Sequence, residues 1–410
     1  MHALNESANM TVLFARQPIY DRELLQAGCE LLFRPCAGVD ALVEPFDGDL
    51  ATQQVMLSAF TESNIREVCE NTPAFINFTA NTLKAEIPFS ASEMVIEILE
   101  TVEIDEEIMA AIRRCREQGY SVALDDYRLK NADHPLLPLA DIVKLDYPHY
   151  SADEMLQVVT LLKRRHPHLT ILAEKVETYE EFLNCHQAGC DLFQGYFLAR
   201  PAPVEGLRIP HNRLAILRLL AELNRDDASL RELTDAIRQD PFMSVRLMKM
   251  VNSAYYHRTE DITSVQMAVT LLGQRRIRNL ASMLALSKLD DKPHALQKLA
   301  LARGYLCEEL ATNLVSSSAS GFTVGLFSCL DAFFDHPLKA VLKELPLHAS
   351  IKQAILEHRG PLGLVLATAQ HLERGELEAI DWTALGEQGL TPELVSHAQQ
   401  QAIGLANMHL

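Results

Sequence analysis

Residues Ser121 to Met155 read SVALDDYRLKNADHPLLPLADIVKLDYPHYSADEM. Ser121 to Leu124 is a short apolar run followed at once by Asp125 and Asp126. Ile142 to Leu145 is a second run, carrying Lys144 and followed by Asp146. Runs this short, bounded by polar residues, read as strands. Ser151 and Glu154 have the spacing of a capping box, in which each side chain satisfies the other's backbone N–H, so a helix starts after the second run. Strands alternating with helices imply a mostly parallel sheet, open or closed into a barrel.

The same rhythm extends from about residue 70 to 200. Ala74 to Phe78, Met94 to Leu99, Thr170 to Ala173 and Asp191 to Phe193 are further runs, and Thr178 with Glu181 is a second capping box. Polar residues recur at one place in each unit: Asn77, Glu97, Asp125 with Asp126, Glu174 and Gln194 all fall at or just past the carboxyl end of a run. In a parallel barrel that end forms the mouth where side chains from several strands meet. Lys144 and Asp146 are two apart and share a face of one strand, either as parts of a site or as a structural ion pair.

The stretch RPAPVEGLRIP, Arg200 to Pro210, ends the alternation and reads as a linker. Beyond it the pattern is helical. Leu214, Leu217, Leu220 and Leu223 lie along one face, Ser229 with Glu232 forms another capping box, and Thr391–Pro392 starts a late helix. The chain therefore reads as α/β plus all-α, with an expected first domain over 11–203 and a helical second domain over 204–410.

A length of 410 residues with 48% hydrophobic and 22% charged residues suits two packed domains rather than a disordered chain. The N-terminal MHALNESANM has no basic segment leading into an apolar one, and no uninterrupted apolar run reaches the ~18 residues of a membrane span. A cytoplasmic protein without membrane contact is expected. The eight cysteines are scattered, and Cys185 with Cys190 lacks the second pair of a structural zinc site, so reduced buried thiols are expected. A net charge of −18 disfavours nucleic acid as a partner.

Glu30, Glu97, Asp125, Asp126, Glu174 and Glu177 would bring six carboxylates to one mouth, where their mutual repulsion calls for cations. Hard oxygen donors, with the Asn77 carbonyl among them, suit Mg²⁺ or Mn²⁺, and a shared aspartate can bridge two ions ~3.5–4 Å apart. Such a pair stabilises in-line attack on a phosphodiester. Lys144 could orient or help deprotonate the attacking water, and Arg34 offers a planar fork to a phosphate oxygen. The alternative for any one of these acids alone is a solvated loop residue or a helix cap.

These residues carry a resemblance. ELLFR (Glu30 to Arg34), INF (Ile76 to Phe78), IEILE (Ile96 to Glu100), LDDY (Leu124 to Tyr127), VKLD (Val143 to Asp146), AEKVET (Ala173 to Thr178) and FQGYFLARP (Phe193 to Pro201) resemble, in order, the motifs of EAL-type cyclic di-GMP phosphodiesterases. The opening ARQPIYD, Ala15 to Asp21, looks like the first strand of that domain. The resemblance implies a TIM-like (β/α) barrel and hydrolysis of cyclic di-GMP to the linear dinucleotide. It makes Glu30, Asn77, Glu97 and Asp125 ligands of one metal and Asp125, Asp126 and Glu174 ligands of a second. Lys144 and Glu174 become the catalytic pair, and Arg34, Asp146, Glu177 and Gln194 become nucleotide-binding residues. Three positions depart from the pattern: Leu31 replaces the signature alanine, Lys175 a glycine, and DDYRLK the usual DDFGTG over Asp125 to Lys130. The altered loop is expected to lower turnover more than affinity.

In the second half, IRQDPFMSVRLMKMVNSAYY (Ile237 to Tyr256), AVTLLGQRRIRNL (Ala268 to Leu280) and FTVGLFSCLDAFF (Phe322 to Phe334) resemble the HDOD domain, a helical relative of metal-dependent hydrolases that lacks their metal centre. No His-Asp dipeptide occurs, Asp335–His336 being its reverse. The resemblance implies an EAL–HDOD signalling protein whose second domain meets a partner protein, and it allows a homodimer. Asn252 and Ser253 read as a contact site or as a helix-end cap. Arg275, Arg276 and Arg278 read as a patch for an acidic partner or as a solvated face. The competing overall reading is an inactive barrel serving as nucleotide receptor or scaffold.

Overall fold

A computed structural model describes residues 11–36, 69–85, 87, 90–128, 134–199, 211–224, 229–252, 264–289, 292–314 and 320–409. The linker expected over 200–210 lies outside them, as do Ser253 and the side chains of Arg34 and Arg275. The chain forms two compact units. The first comprises Met1–Phe197 with His371–Gly386 and Thr391–His397; the second comprises Leu198–Gln370 with Glu387–Leu390 and Ala398–Leu410.

The first unit contains a closed eight-stranded barrel: β1 (Thr11–Tyr20), β2 (Gln26–Cys36), β3 (Ala74–Phe78), β4 (Met94–Ile98), β5 (Ser121–Leu124), β6 (Ile142–Asp146), β7 (Thr170–Glu174) and β8 (Leu192–Gln194). Strands β2 to β8 run parallel, whereas β1 is antiparallel to both of its neighbours. The reversal follows from a connection too short for a crossover: Asp21 Oδ1 accepts from the N–H groups of Glu23 (3.0 Å) and Leu25 (2.8 Å) and closes a hairpin turn. Helices α1 (Ala80–Lys84), α2 (Glu106–Glu117), α3 (Ala152–Arg165) and α4 (Tyr179–Ala188) follow β3, β4, β6 and β7. The capping boxes at Ser151–Glu154 and Thr178–Glu181 form as the spacing predicts.

The barrel interior is filled in layers. Ile19, Phe75, Val95, Ala123, Ile142 and Leu172 form one buried cluster, with Leu192 packed against it. Gly28 admits the Phe75 ring, for a Cβ there would lie 2.5 Å from it. Because side chains alternate along a strand, the residue two positions nearer the mouth points inward as well. Counting from the cluster gives Gln17, Asn77, Glu97, Asp125, Lys144, Glu174 and Gln194. The polar set is therefore the next layer up, held by the same pleat that buries the apolar one.

The second unit is helical, including α5 (His211–Leu223), α6 (Leu230–Arg238), α7 (Pro241–Val251), α8 (Val265–Leu286), α9 (His294–Thr312) and α10 (Gly321–Phe327). Leu217, Leu220 and Leu223 are buried, as the leucine spacing on α5 predicts, and so are Phe322, Val324, Leu326 and Phe327 of α10. Ser229 and Glu232 form their capping box. Arg276 is exposed and Arg278 half-buried. Asp335 of the reversed dipeptide binds Arg213 (2.7 Å) and Lys292 (2.6 Å), all three nearly buried. The seven cysteines whose side chains are described are buried free thiols. Among the described residues, no helix is long and apolar enough to cross a membrane.

Candidate active site at the barrel mouth

Lys144 is the centre of the polar layer. Its Nζ lies 2.7 Å from Glu97 Oε1, 2.8 Å from Glu174 Oε1, 3.1 Å from Asp125 Oδ1 and 3.5 Å from Glu30 Oε2. Three strands other than its own, and the residue just past a fourth, thus deliver a carboxylate to one ammonium. Lys144 is 1% exposed and Glu97 0%. A charge stripped of water this thoroughly is tolerated only with close counter-charge.

The protonation equilibria follow from that geometry. Burial works to lower the Lys144 pKa, but the carboxylates, Glu174 foremost, outweigh it and hold the ammonium charged well above the lysine range. Burial, reinforced by Glu30, drives Glu97 well above the usual carboxylate value despite the opposing pull of Lys144. Burial pushes Glu174 up to about 8, again against Lys144. One lysine does not neutralise four acids, and the site relieves the excess by keeping protons.

Glu30 is oriented from the side. Gln194 Nε2 donates to Glu30 Oε2 at 2.6 Å and to Gln17 Oε1 at 2.8 Å, so the amide is anchored through its donors. Asn77 stands in register with Glu97 on the neighbouring strand. A glycine is required just past Gln194: a Cβ on Gly195, at φ +147°, would fall 2.1 Å from the Val176 carbonyl oxygen.

The other expected residues are distributed differently. Asp126 and Asp146 do not join the Lys144 cluster; with His149 their ligand atoms lie within 4.8 Å of one another. Lys144 and Asp146 are therefore not partners, and Asp146 Oδ2 instead meets Lys175 Nζ at 2.5 Å. Glu177 is exposed, with its backbone N–H donating to Glu181 Oε2 at 2.7 Å. Arg34 lies on β2, its side chain outside the described residues. Sequence reasoning missed Gln17 and His149. The pleat parity of β1 would have found Gln17; His149 lies in the 3₁₀ turn Tyr147–His149 after β6, where no strand pattern applies.

The inner cluster suits a hard divalent cation. Glu30, Asn77, Glu97 and Asp125 offer oxygen donors of the kind such ions prefer, and Glu97 Oε2 is buried without a hydrogen-bond partner in the structure.

The sequence pattern of the EAL domain matches residues 50–201, and that of the HDOD domain matches residues 209–336. The uncharacterized protein YuxH of Bacillus subtilis is 30% identical over 392 residues, covering 93% of this chain and 94% of its own. The chain belongs to the EAL–HDOD family. A second relative is the cyclic di-GMP phosphodiesterase CdgJ of Vibrio cholerae, 29% identical over 381 residues, 92% of this chain and 88% of CdgJ. Among solved structures, an EAL domain protein of Listeria monocytogenes is 20% identical and covers 47% of this chain and 89% of its own, with a TM-score of 0.39.

Proposed function

We propose that this EAL–HDOD chain is a metal-dependent cyclic di-GMP phosphodiesterase whose HDOD half regulates it or meets a partner protein. The observation that carries the reading is the convergence of Glu30, Glu97, Asp125 and Glu174 on Lys144 at the carboxyl-end mouth of the barrel. The substrate class comes from the EAL resemblance and from CdgJ.

In this reading Glu30, Asn77, Glu97 and Asp125 hold Mg²⁺ or Mn²⁺, which would supply Lewis-acid stabilisation and a water acidic enough to attack phosphorus. The chain's own residues do the rest. Gln194 fixes the Glu30 carboxylate, as outer hydrogen bonds commonly fix metal ligands. Lys144 holds its proton and orients the attacking water beside Asp125 and Glu174. Gln194, Glu177 and Arg34 are the expected nucleotide contacts, and the filled barrel below excludes bulk water.

A second reading, an inactive receptor or scaffold, is favoured by the altered loop. Asp126 stands at φ +38° and pairs with Arg128, while the buried Tyr127 donates its N–H to the Lys144 carbonyl at 3.1 Å and its carbonyl accepts from Tyr150 Oη at 3.1 Å. Contacts of this kind at Asp126 to Arg128 can misplace metal-bound oxygens by an amount that binding tolerates and in-line attack does not. Incubating purified protein with cyclic di-GMP and Mg²⁺ or Mn²⁺, then separating products by chromatography, tests the first reading. Linear dinucleotide supports it. Binding in Ca²⁺ without product under any metal supports the receptor, and absence of binding leaves the scaffold.

A further inference from the structure

The carboxylates of the mouth fall into two groups. Glu30, Glu97, Asp125 and Glu174 share Lys144. Asp126 and Asp146 lie beyond its reach and, with His149, have the spacing that a second cation would need. Each already has a cation of its own. Lys175 Nζ meets Asp146 Oδ2 at 2.5 Å, and Arg128 lays its fork on Asp126, Nε to Oδ1 at 3.3 Å and Nη2 to Oδ2 at 3.2 Å.

We propose that Lys175 and Arg128 supply, from the chain itself, the positive charge a second divalent ion would bring to Asp146 and Asp126, so that the mouth takes one ion rather than two. The inference rests on the metal-dependent reading above and concerns its stoichiometry.

Three further observations support it. His149 Nε2 lies 3.2 Å from Arg128 Nη2. A guanidinium only donates, so that nitrogen spends its lone pair on Arg128, and the other nitrogen of the ring carries the proton; neither is left to bind a metal. Lys175 sits at φ +53°, a conformation that glycine adopts without steric cost and a lysine keeps only where contacts offset the strain. Asp146 is 3% exposed and its Oδ1 has no hydrogen-bond partner in the structure, so the charge on this buried acid is answered through Oδ2 by Lys175. The two basic side chains, Lys175 and Arg128 of the DDYRLK loop, also stand at two of the three places where this sequence departs from the pattern it resembles. Two independent departures converge on one pair of acids.

Lys175 itself is 66% exposed, so its hold on Asp146 competes with an incoming ion rather than walling it off. The competition is readable as stoichiometry. Titrate the full chain with Mn²⁺ alone by calorimetry, and record the Mn²⁺ electron paramagnetic resonance of the loaded protein. The wild type should take one equivalent and give an isolated-ion spectrum. Lys175→Gly combined with Arg128→Gly should take two, with the coupling of ions ~3.5–4 Å apart. Lys175→Met with Arg128→Met, which removes charge but keeps bulk, should also gain the second equivalent, and guards against a loop loosened by glycine. Two equivalents in the wild type overturn the proposal and leave the phosphodiesterase reading intact. One equivalent in both double variants overturns it too. No uptake by the wild type discards the metal-dependent reading and this inference with it.

Discussion

Lys144 Nζ and Glu97 Oε1 lie 2.7 Å apart with their side chains 1% and 0% exposed, a polar contact made entirely inside the barrel. Removing one partner of such a pair costs about 3–5 kcal/mol when the other stays charged, and less where it can take a proton. Lys144→Met should therefore lower the urea midpoint of the metal-free protein, and Mn²⁺ should restore most of the loss. Hydrolysis of cyclic di-GMP should fall by about a hundredfold or more with metal present, the scale of a nucleophile no longer held in line. Unchanged metal-free stability would contradict the role of Lys144 as counter-charge to the four carboxylates.

Glu97 also tests the ligand set. Glu97→Ala removes a buried donor whose Oε2 has no other partner, and Mn²⁺ uptake measured by calorimetry should be abolished or weakened at least tenfold. Equal uptake by wild type and variant would place the ion elsewhere.

Stability should depend on pH in a direction set by Glu174. Burial raises its pKa from 4.5 to about 8, so between those values the folded metal-free protein keeps a proton that the unfolded chain has released. The folded state binds more protons, and stability falls as pH rises through that window. Glu97 adds in the same direction. Melting temperatures in EDTA should decline from pH 6 to 8, the decline should flatten in Glu174→Gln, and the stabilisation by Mn²⁺ should grow with pH as the ion replaces protons. A metal-free melting temperature that climbs over this range would refute the account.

In the helical half, Asp335 bridges Arg213 and Lys292 at about 10% exposure or less for each side chain. Asp335→Ala would remove the carboxylate that two nearly buried cations share. A loss of about 3 kcal/mol in urea denaturation is expected. Bound metal, measured by elemental analysis of the full chain, should not change, because the Asp335 carboxylate is engaged by Arg213 and Lys292.

The barrel was legible because its signal is periodic. Every run from Ala74 to Gln194 became a strand with ends within a residue or so of the sequence boundaries, and the two-residue alternation that buries Phe75 and Val95 also aims Asn77 and Glu97. The reversed β1 was not legible from alternation, since a hairpin and a crossover differ in the connection rather than in the strand. The partners of Lys144, Asp146 and Lys175 were not legible either. A lysine chooses among acids within reach of a long flexible stem, and that choice depends on loop conformations such as the left-handed turns at Asp126 and Lys175.

Gly28 and the Phe75 ring it admits make the barrel a cup and not a tube. On the phosphodiesterase reading a nucleotide has one doorway for arrival and departure, so the linear dinucleotide must vacate the space its successor needs. Inhibition by product should accordingly be purely competitive, and the enzyme should slow itself whenever downstream removal of the dinucleotide lags.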